Sequence, residues 1–125
     1  MYDQELVMDS LNKILSAVET IQERSSEVSS PDDFLLSAEG MMRLDAICMN
    51  LIALGEAVKG LDKQTKGALL KNYPEIHWSG VMKMRDKIAH HYFEIDTDVV
   101  FRTLQEDIPL LQRTVSQIFE DVKAL

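Results

Sequence analysis

Apolar residues recur every three or four positions over most of this chain, and that spacing most restricts what it can fold into. Near the N-terminus Val7, Leu11, Ile14, Val18, Ile21 and Val28 keep it, with Ser25 filling the one gap. Near the C-terminus Phe101, Leu104, Ile108, Leu111, Val115, Ile118 and Val122 keep it again. A period near 3.6 residues turns one side of an α-helix toward a core, whereas a half-buried strand needs alternation, and that is almost absent here. The first stripe predicts a helix from about residue 3 to 28, roughly 39 Å long at 1.5 Å per residue. The second predicts a helix that opens at Ile95-Asp96-Thr97-Asp98. Pro109 should kink that helix without breaking it, because the stripe keeps its phase across the proline.

Between these two helices, Ser29-Ser30-Pro31-Asp32-Asp33 stops the first and offers caps for the next. A second helical region runs from about Pro31 to Leu61, with a break near Ser37 or Gly40. Its middle, Ile47 to Leu54, is apolar nearly all round, the pattern of a helix buried among neighbours. A short basic amphipathic helix over about Lys63–Asn72 ends at Tyr73-Pro74. Another begins near Trp78 and carries Val81, Met84 and Ile88 inward. The expected fold class is all-α, an antiparallel up-and-down bundle of four to five helices in one domain over residues 1–125. The terminal stripes admit two readings: packing inside the bundle, or contact of part of a stripe with a second subunit.

The chain has 125 residues, with 13 Lys+Arg against 21 Asp+Glu for a net charge of −8. That balance argues against a non-specific DNA binder, since phosphate binding draws on clustered Lys and Arg. The charge is uneven, however. Residues 59–91 hold seven basic side chains against three acidic, a net of +4, and the rest of the chain holds six against 18. Cys48 is the only cysteine; between Ile47 and Met49 it reads as a buried thiol in a reducing compartment. The acidic N-terminus is unlike a signal peptide, and the longest uncharged run, Ala46 to Gly55, is too short to span a bilayer. A cytoplasmic protein that does not enter a membrane is expected.

The basic third contains the chemistry. Trp78 to Tyr92 reads Trp-Ser-Gly-Val-Met-Lys-Met-Arg-Asp-Lys-Ile-Ala-His-His-Tyr. A histidine moves protons near neutral pH, and an arginine fork holds a phosphate and stabilises charge growing on its oxygens. With RNA the 2′-hydroxyl can be the nucleophile, so neither a metal nor a nucleophilic side chain is needed. No HExxH, CxxC or carboxylate cluster suggests a metal, and no Gly-rich loop suggests a nucleotide cradle; no cofactor is expected. Arg85 and His90 stand five apart, about 140° around a regular helix, and do not share a face there. His91 continues the stripe of Val81, Met84 and Ile88, which makes it a packed or capping residue and His90 the better acid/base. The angle implies that the helix ends near Ala89, or that another subunit completes the site. Against these roles stand plain structural ones: an exposed salt bridge for Arg85 and a half-buried aromatic ring for Tyr92.

Arg85-Asp86-Lys87-Ile88-Ala89-His90-His91-Tyr92 resembles the Arg-x4-His-x-Tyr motif of HepT-like toxins in the HEPN superfamily. Asn50-Leu51-Ile52-Ala53-Leu54-Gly55-Glu56-Ala57 is similar to that family's Asn-Leu-x-x-Ile-Gly-Glu-Ala helix, and Tyr73-Pro74-Glu75-Ile76-His77-Trp78 to its approach to the motif. Ile95-Asp96 through Leu110-Leu111 looks like its closing helix, with Ile108-Pro109 in place of Leu-Pro. The resemblance implies a homodimeric all-α bundle with a metal-independent endoribonuclease site between protomers, leaving a 2′,3′-cyclic phosphate. It implies that Arg85 binds phosphate and His90 is the acid/base, supported by Asp86, Lys83, Lys87 and His91. Asp86 stands where the family usually has Asn, which adds negative charge near phosphate. Tyr92 matches the tyrosine that an MntA-like nucleotidyltransferase antitoxin AMPylates, so ATP and Mg would belong to that partner. The competing readings are a catalytically silent module that binds a nucleotidyltransferase, and an oligomeric helical adaptor.

Overall fold

The computed structural model describes residues 2–91 and 94–125, and for His90 and His91 the backbone alone. Helix α1 spans Gln4–Ser25 and is capped by Asp3, whose side chain accepts from the Leu6 N–H at 3.1 Å. Such a cap satisfies one of the backbone donors that a helix start leaves free. Val7, Leu11, Ile14, Val18 and Ile21 are fully buried between the long helices that follow, so the N-terminal stripe packs within the chain. The helix ends three residues before Val28, which is buried from the loop.

A single turn of 3-10 helix, Pro31–Phe34, follows, and Ser37 caps helix α2, Ala38–Gln64, by accepting from the Gly40 N–H at 2.9 Å. The expected break therefore falls at Ser37. Leu44, Ile47, Cys48, Leu51, Leu54, Val58 and Leu61 are buried, but Met49 is 66% exposed. The middle of α2 is thus covered on one side, not all round. The apolar run misled because Met49 and Ala53 count as apolar wherever they point.

The expected basic helix over Lys63–Asn72 does not form. Lys63 and Gln64 are the last residues of α2. The chain then reverses at Lys66 and Gly67, both with positive φ, where the Gly67 N–H bonds back to Asp62 and the Lys66 N–H to Lys63. This doubly bonded left-handed end satisfies the free carbonyls of α2 and stops it. Only a 3-10 turn, Leu70–Asn72, follows.

The helix expected from Trp78 divides at Lys83 into α3, Trp78–Met82, and α4, Met84–Ile88. Strand β1, Ala89–His91, comes next and pairs antiparallel with β2, Glu94–Ile95. Asp96 then caps α5, Thr97–Arg102, through the Val99 N–H at 3.1 Å. A π-helical turn, Thr103–Asp107, joins α5 to α6, Ile108–Lys123. The Ile108 N–H reaches five residues back to Thr103. Pro109 has no N–H and its ring crowds the carbonyl four residues earlier, so the widened turn accommodates it without a break. The extra residue in that turn shifts the phase by one position. Val100 is fully buried where Phe101 was expected to be, while Ile108, Leu111, Val115, Ile118 and Val122 keep their places.

Helix α1 lies against both α2 and α6 in an all-α bundle, with α3 and α4 set against the flank of α2. No helix among the described residues is long and apolar enough to cross a membrane.

Candidate active site

The segment that carries the motif is anchored before it starts. The Trp78 indole donates to the Tyr73 carbonyl at 2.9 Å, and the Tyr73 hydroxyl donates to Asp121 at 2.6 Å. Burial, and then the bond to the Asp121 carboxylate, push the Tyr73 phenol up to about 12. The Asp121 carboxyl is held below its usual range by hydrogen bonds from Tyr73 and Gln117. The far end of α6 thereby fixes where α3 begins.

Gly55 sets how closely α3 and α4 approach α2. A Cβ there would lie 2.6 Å from the Val81 carbonyl oxygen and 3.1 Å from the Met84 Cβ. With Met84 and Ile88 buried, the side chains between them point away from the core. Arg85 leans toward α2 and, with Ile52, Glu56, Lys59, Lys83 and Asp86, lines an open pocket of about 280 Å³. Lys59 and Glu56 come to it from α2, on the same face as Ile52, at helical spacings of four and three. The sequence signal for them was that spacing together with Gly55, which marks where the two elements touch.

Arg85 is exposed and has no hydrogen-bond or ion-pair partner among the described residues. The salt bridge offered as its plain structural role is absent there, and Asp86 does not hold it. Lys83 and Lys59 are exposed and equally unpaired among the described residues. Lys87 differs. Two residues on from Arg85, it points about 200° around the helix. It donates to Asp107 at 2.6 Å and borders a separate cavity of about 390 Å³ beside Ile108 and Leu111.

The 140° that separated Arg85 from His90 on a regular helix does not apply. The helix stops at Ile88, and Ala89 is extended, with φ −137° and ψ 120°. The Ile88 carbonyl accepts from the Asp96 N–H at 3.1 Å, so the start of α5 fastens the point of change. His90 and His91 sit in β1. The roles expected of their side chains, and of Tyr92, lie outside the described residues. Cys48 is buried in α2, and desolvation, with the nearby Asp45 charge second, pushes its thiol up to about 11. Among the described residues no three His, Cys, Asp or Glu gather to hold a metal ion.

An all-α bundle that gathers cations unpaired among the described residues in an open pocket, on the helix that runs into a histidine-bearing strand, has the build of a helical phosphodiester-binding protein. The chain belongs to the ribonuclease HepT-like family, whose model matches residues 14–118. It is 36% identical over 104 residues to the probable ribonuclease HepT of Thermococcus cleftensis, covering 83% of this chain and 87% of that one. It is 29% identical over 113 residues to a protein of Caldanaerobacter subterraneus subsp. tengcongensis that carries the name of an RNase, covering 90% of this chain and 94% of that one. No solved structure matches at a significant level.

Proposed function

We propose that this chain is the toxin of a HepT/MntA-type toxin–antitoxin system: an endoribonuclease of the cytoplasm that cuts RNA without a metal, at a site shared by two copies. The observation that carries this reading is Arg85, exposed and unpaired among the described residues, in a pocket with Lys59 and Lys83 at the point where helix gives way to the histidine-bearing strand. In the proposed reaction His90 takes the proton of the 2′-hydroxyl, and that oxygen bonds to phosphorus. The bond from phosphorus to the 5′-oxygen breaks, and the leaving oxygen takes the proton from the His90 that has just been charged, which returns that histidine to its neutral form. Arg85, with the two lysines beside it, neutralises the charge that builds on the phosphate oxygens. The products are a 2′,3′-cyclic phosphate and a 5′-hydroxyl. Neither ATP nor Mg is needed by this chain; both belong to the nucleotidyltransferase partner, which adds AMP to Tyr92. The attached phosphate would place negative charge close to Arg85 and close the site to RNA.

The test is a denaturing gel of RNA incubated with purified protein in EDTA. Cleavage by the wild type should fall at least 100-fold in Arg85→Ala and in His90→Ala, as loss of a charge-stabilising or proton-transferring group requires. Cleavage that survives both substitutions overturns the site. Incubation with the partner and ATP should add one AMP mass to Tyr92, and mass mapping wholly to other residues removes that role.

A second reading has its own support. Glu56 and Asp86 line the same pocket as Arg85, and two carboxylates disfavour a phosphate there. In that reading the bundle is a silent module that binds the nucleotidyltransferase. It holds if the purified dimer leaves RNA intact while the partner still binds tightly.

A further inference from the structure

We propose that Lys63 and Lys66, at the C-terminal end of α2, hold phosphates of single-stranded RNA next to the one that is cut. The strand then leaves the Arg85 pocket along α2. This inference rests on the ribonuclease reading above and gives its substrate a path.

The path begins inside the pocket, which Lys59 lines. Lys63 follows by four residues, so it stands on the same face of α2, about 6 Å further along the axis at 1.5 Å per residue. The helix ends at Gln64, and Lys66 stands two residues beyond, where the chain reverses. All three lysines are exposed, and none has an ion-pair partner among the described residues. The acid within this run, Asp62, is half-buried and turned about 100° around the helix from Lys63. Cations set in a row from a phosphate site match the repeating charge of a polynucleotide backbone. The rest of the chain disfavours other routes. Outside residues 59–91 it holds 18 acidic side chains against six basic, a field that repels the strand.

Lys66 adds an independent observation. Its φ is 53°, a left-handed conformation that residues other than Gly, Asn and Asp adopt only at a cost. Ending a helix needs that conformation alone, and glycine would supply it more cheaply. What lysine adds at this position is an exposed amino group. The plain alternative is that Lys63 and Lys66 offset the partial negative charge at the end of α2. That role involves no RNA, and it requires stability to fall when the cations are removed.

The test uses the full chain in EDTA with a 12-nucleotide single strand of 2′-O-methyl RNA, which lacks the attacking hydroxyl and stays uncut. Binding is read by fluorescence anisotropy over a series of salt concentrations. Lys63→Ala and Lys66→Gly should each weaken it about three- to tenfold and lower the slope of log K against log salt by about 0.7, as loss of one single-strand phosphate contact requires. Lys63→Arg, which keeps the charge, should stay within about twofold of wild type. Lys66→Gly should melt no lower than wild type, because glycine suits the turn. With cleavable RNA, the ratio of kcat/KM on a 12-mer to that on a dinucleotide should fall about tenfold in the double variant, since the dinucleotide is too short to reach Lys63. An unchanged salt slope overturns the path, as does a loss shared equally by the two lengths of RNA. Binding that falls only in step with the melting temperature also overturns it, as does loss of the nucleotidyltransferase in place of RNA. Cleavage that still depends on Arg85 and His90 leaves the ribonuclease reading standing in each of those cases. RNA that the wild type neither binds nor cuts overturns both.

Discussion

The long helices and the motif segment are built on opposite terms. In α1, α2 and α6 a regular apolar stripe is buried over several turns, and backbone and side chains agree on one geometry. Among the described residues between Trp78 and Ile95 nothing regular lasts beyond five residues: two one-turn helices, a division at Lys83, and a strand pair of three residues against two. The first region gains its stability by burial and lends the candidate site only the outer face of α2, with Glu56 and Lys59. Among the described residues of the second, Met84 and Ile88 are the buried anchors, while Arg85, Asp86 and Lys83 stand in solvent. A site that must present charge to a polyanion is carried by the least self-sufficient part of the fold, held in place by the most self-sufficient.

That contrast can be broken by substitution. The largest effect belongs to the frame. Leu51→Ala, at a fully buried position of α2, should cost about 2–5 kcal/mol of unfolding free energy in a denaturant titration. A loss below about 1 kcal/mol would mean that the frame is looser than its burial implies. Next comes the seam between the two regions. Gly55→Ala must push a Cβ against the Val81 carbonyl, so it should lose about 1–3 kcal/mol despite the better helix propensity of alanine. RNA cleavage should fall with it, because α3 and α4 are displaced. Gly60 is the control in the same helix, since a Cβ there meets nothing within 4 Å. Gly60→Ala should stabilise by about 0.5–1 kcal/mol, the propensity gain alone. Equal effects at the two glycines would show that α2 does not need Gly55 to seat the motif. The smallest change is at the exposed pair between the regions, where Asp107→Ala removes the Lys87 contact. It should move stability by about 0.2–1 kcal/mol.

Much of the frame was legible in the sequence because burial repeats at helical period. The stripes of α1 and α6, the break at Ser37 and the cap at Asp96 all follow local rules that three to seven residues are enough to express. The errors fall where a local rule gave way. Lys66 takes a left-handed conformation that Gly67, its neighbour, suits better, so the true end of α2 looked like the middle of a basic helix. Val100 replaced Phe101 because a widened turn is invisible to a count that assumes 3.6 residues throughout. At the candidate site, Arg85, Lys83 and Asp86 were legible as a neighbouring set, and the end of the helix near Ala89 was one of two outcomes that the awkward angle to His90 left open. Glu56 and Lys59 were missed as its companions because only tertiary contact at Gly55 brings α2 alongside.

The π turn before α6 has one further consequence. Thr103–Asp107 stores a surplus residue, and Pro109 is what retains it, because a regular turn would drive the proline ring into the carbonyl behind it. Removing Gln105 together with Pro109→Ala should therefore yield a plain helix that still turns Val100 and Leu111 to the core. A one-residue deletion in the middle of Ile108–Lys123 would instead swing half of the C-terminal stripe into water. Chain length is negotiable at that one turn and nowhere else along the last helix.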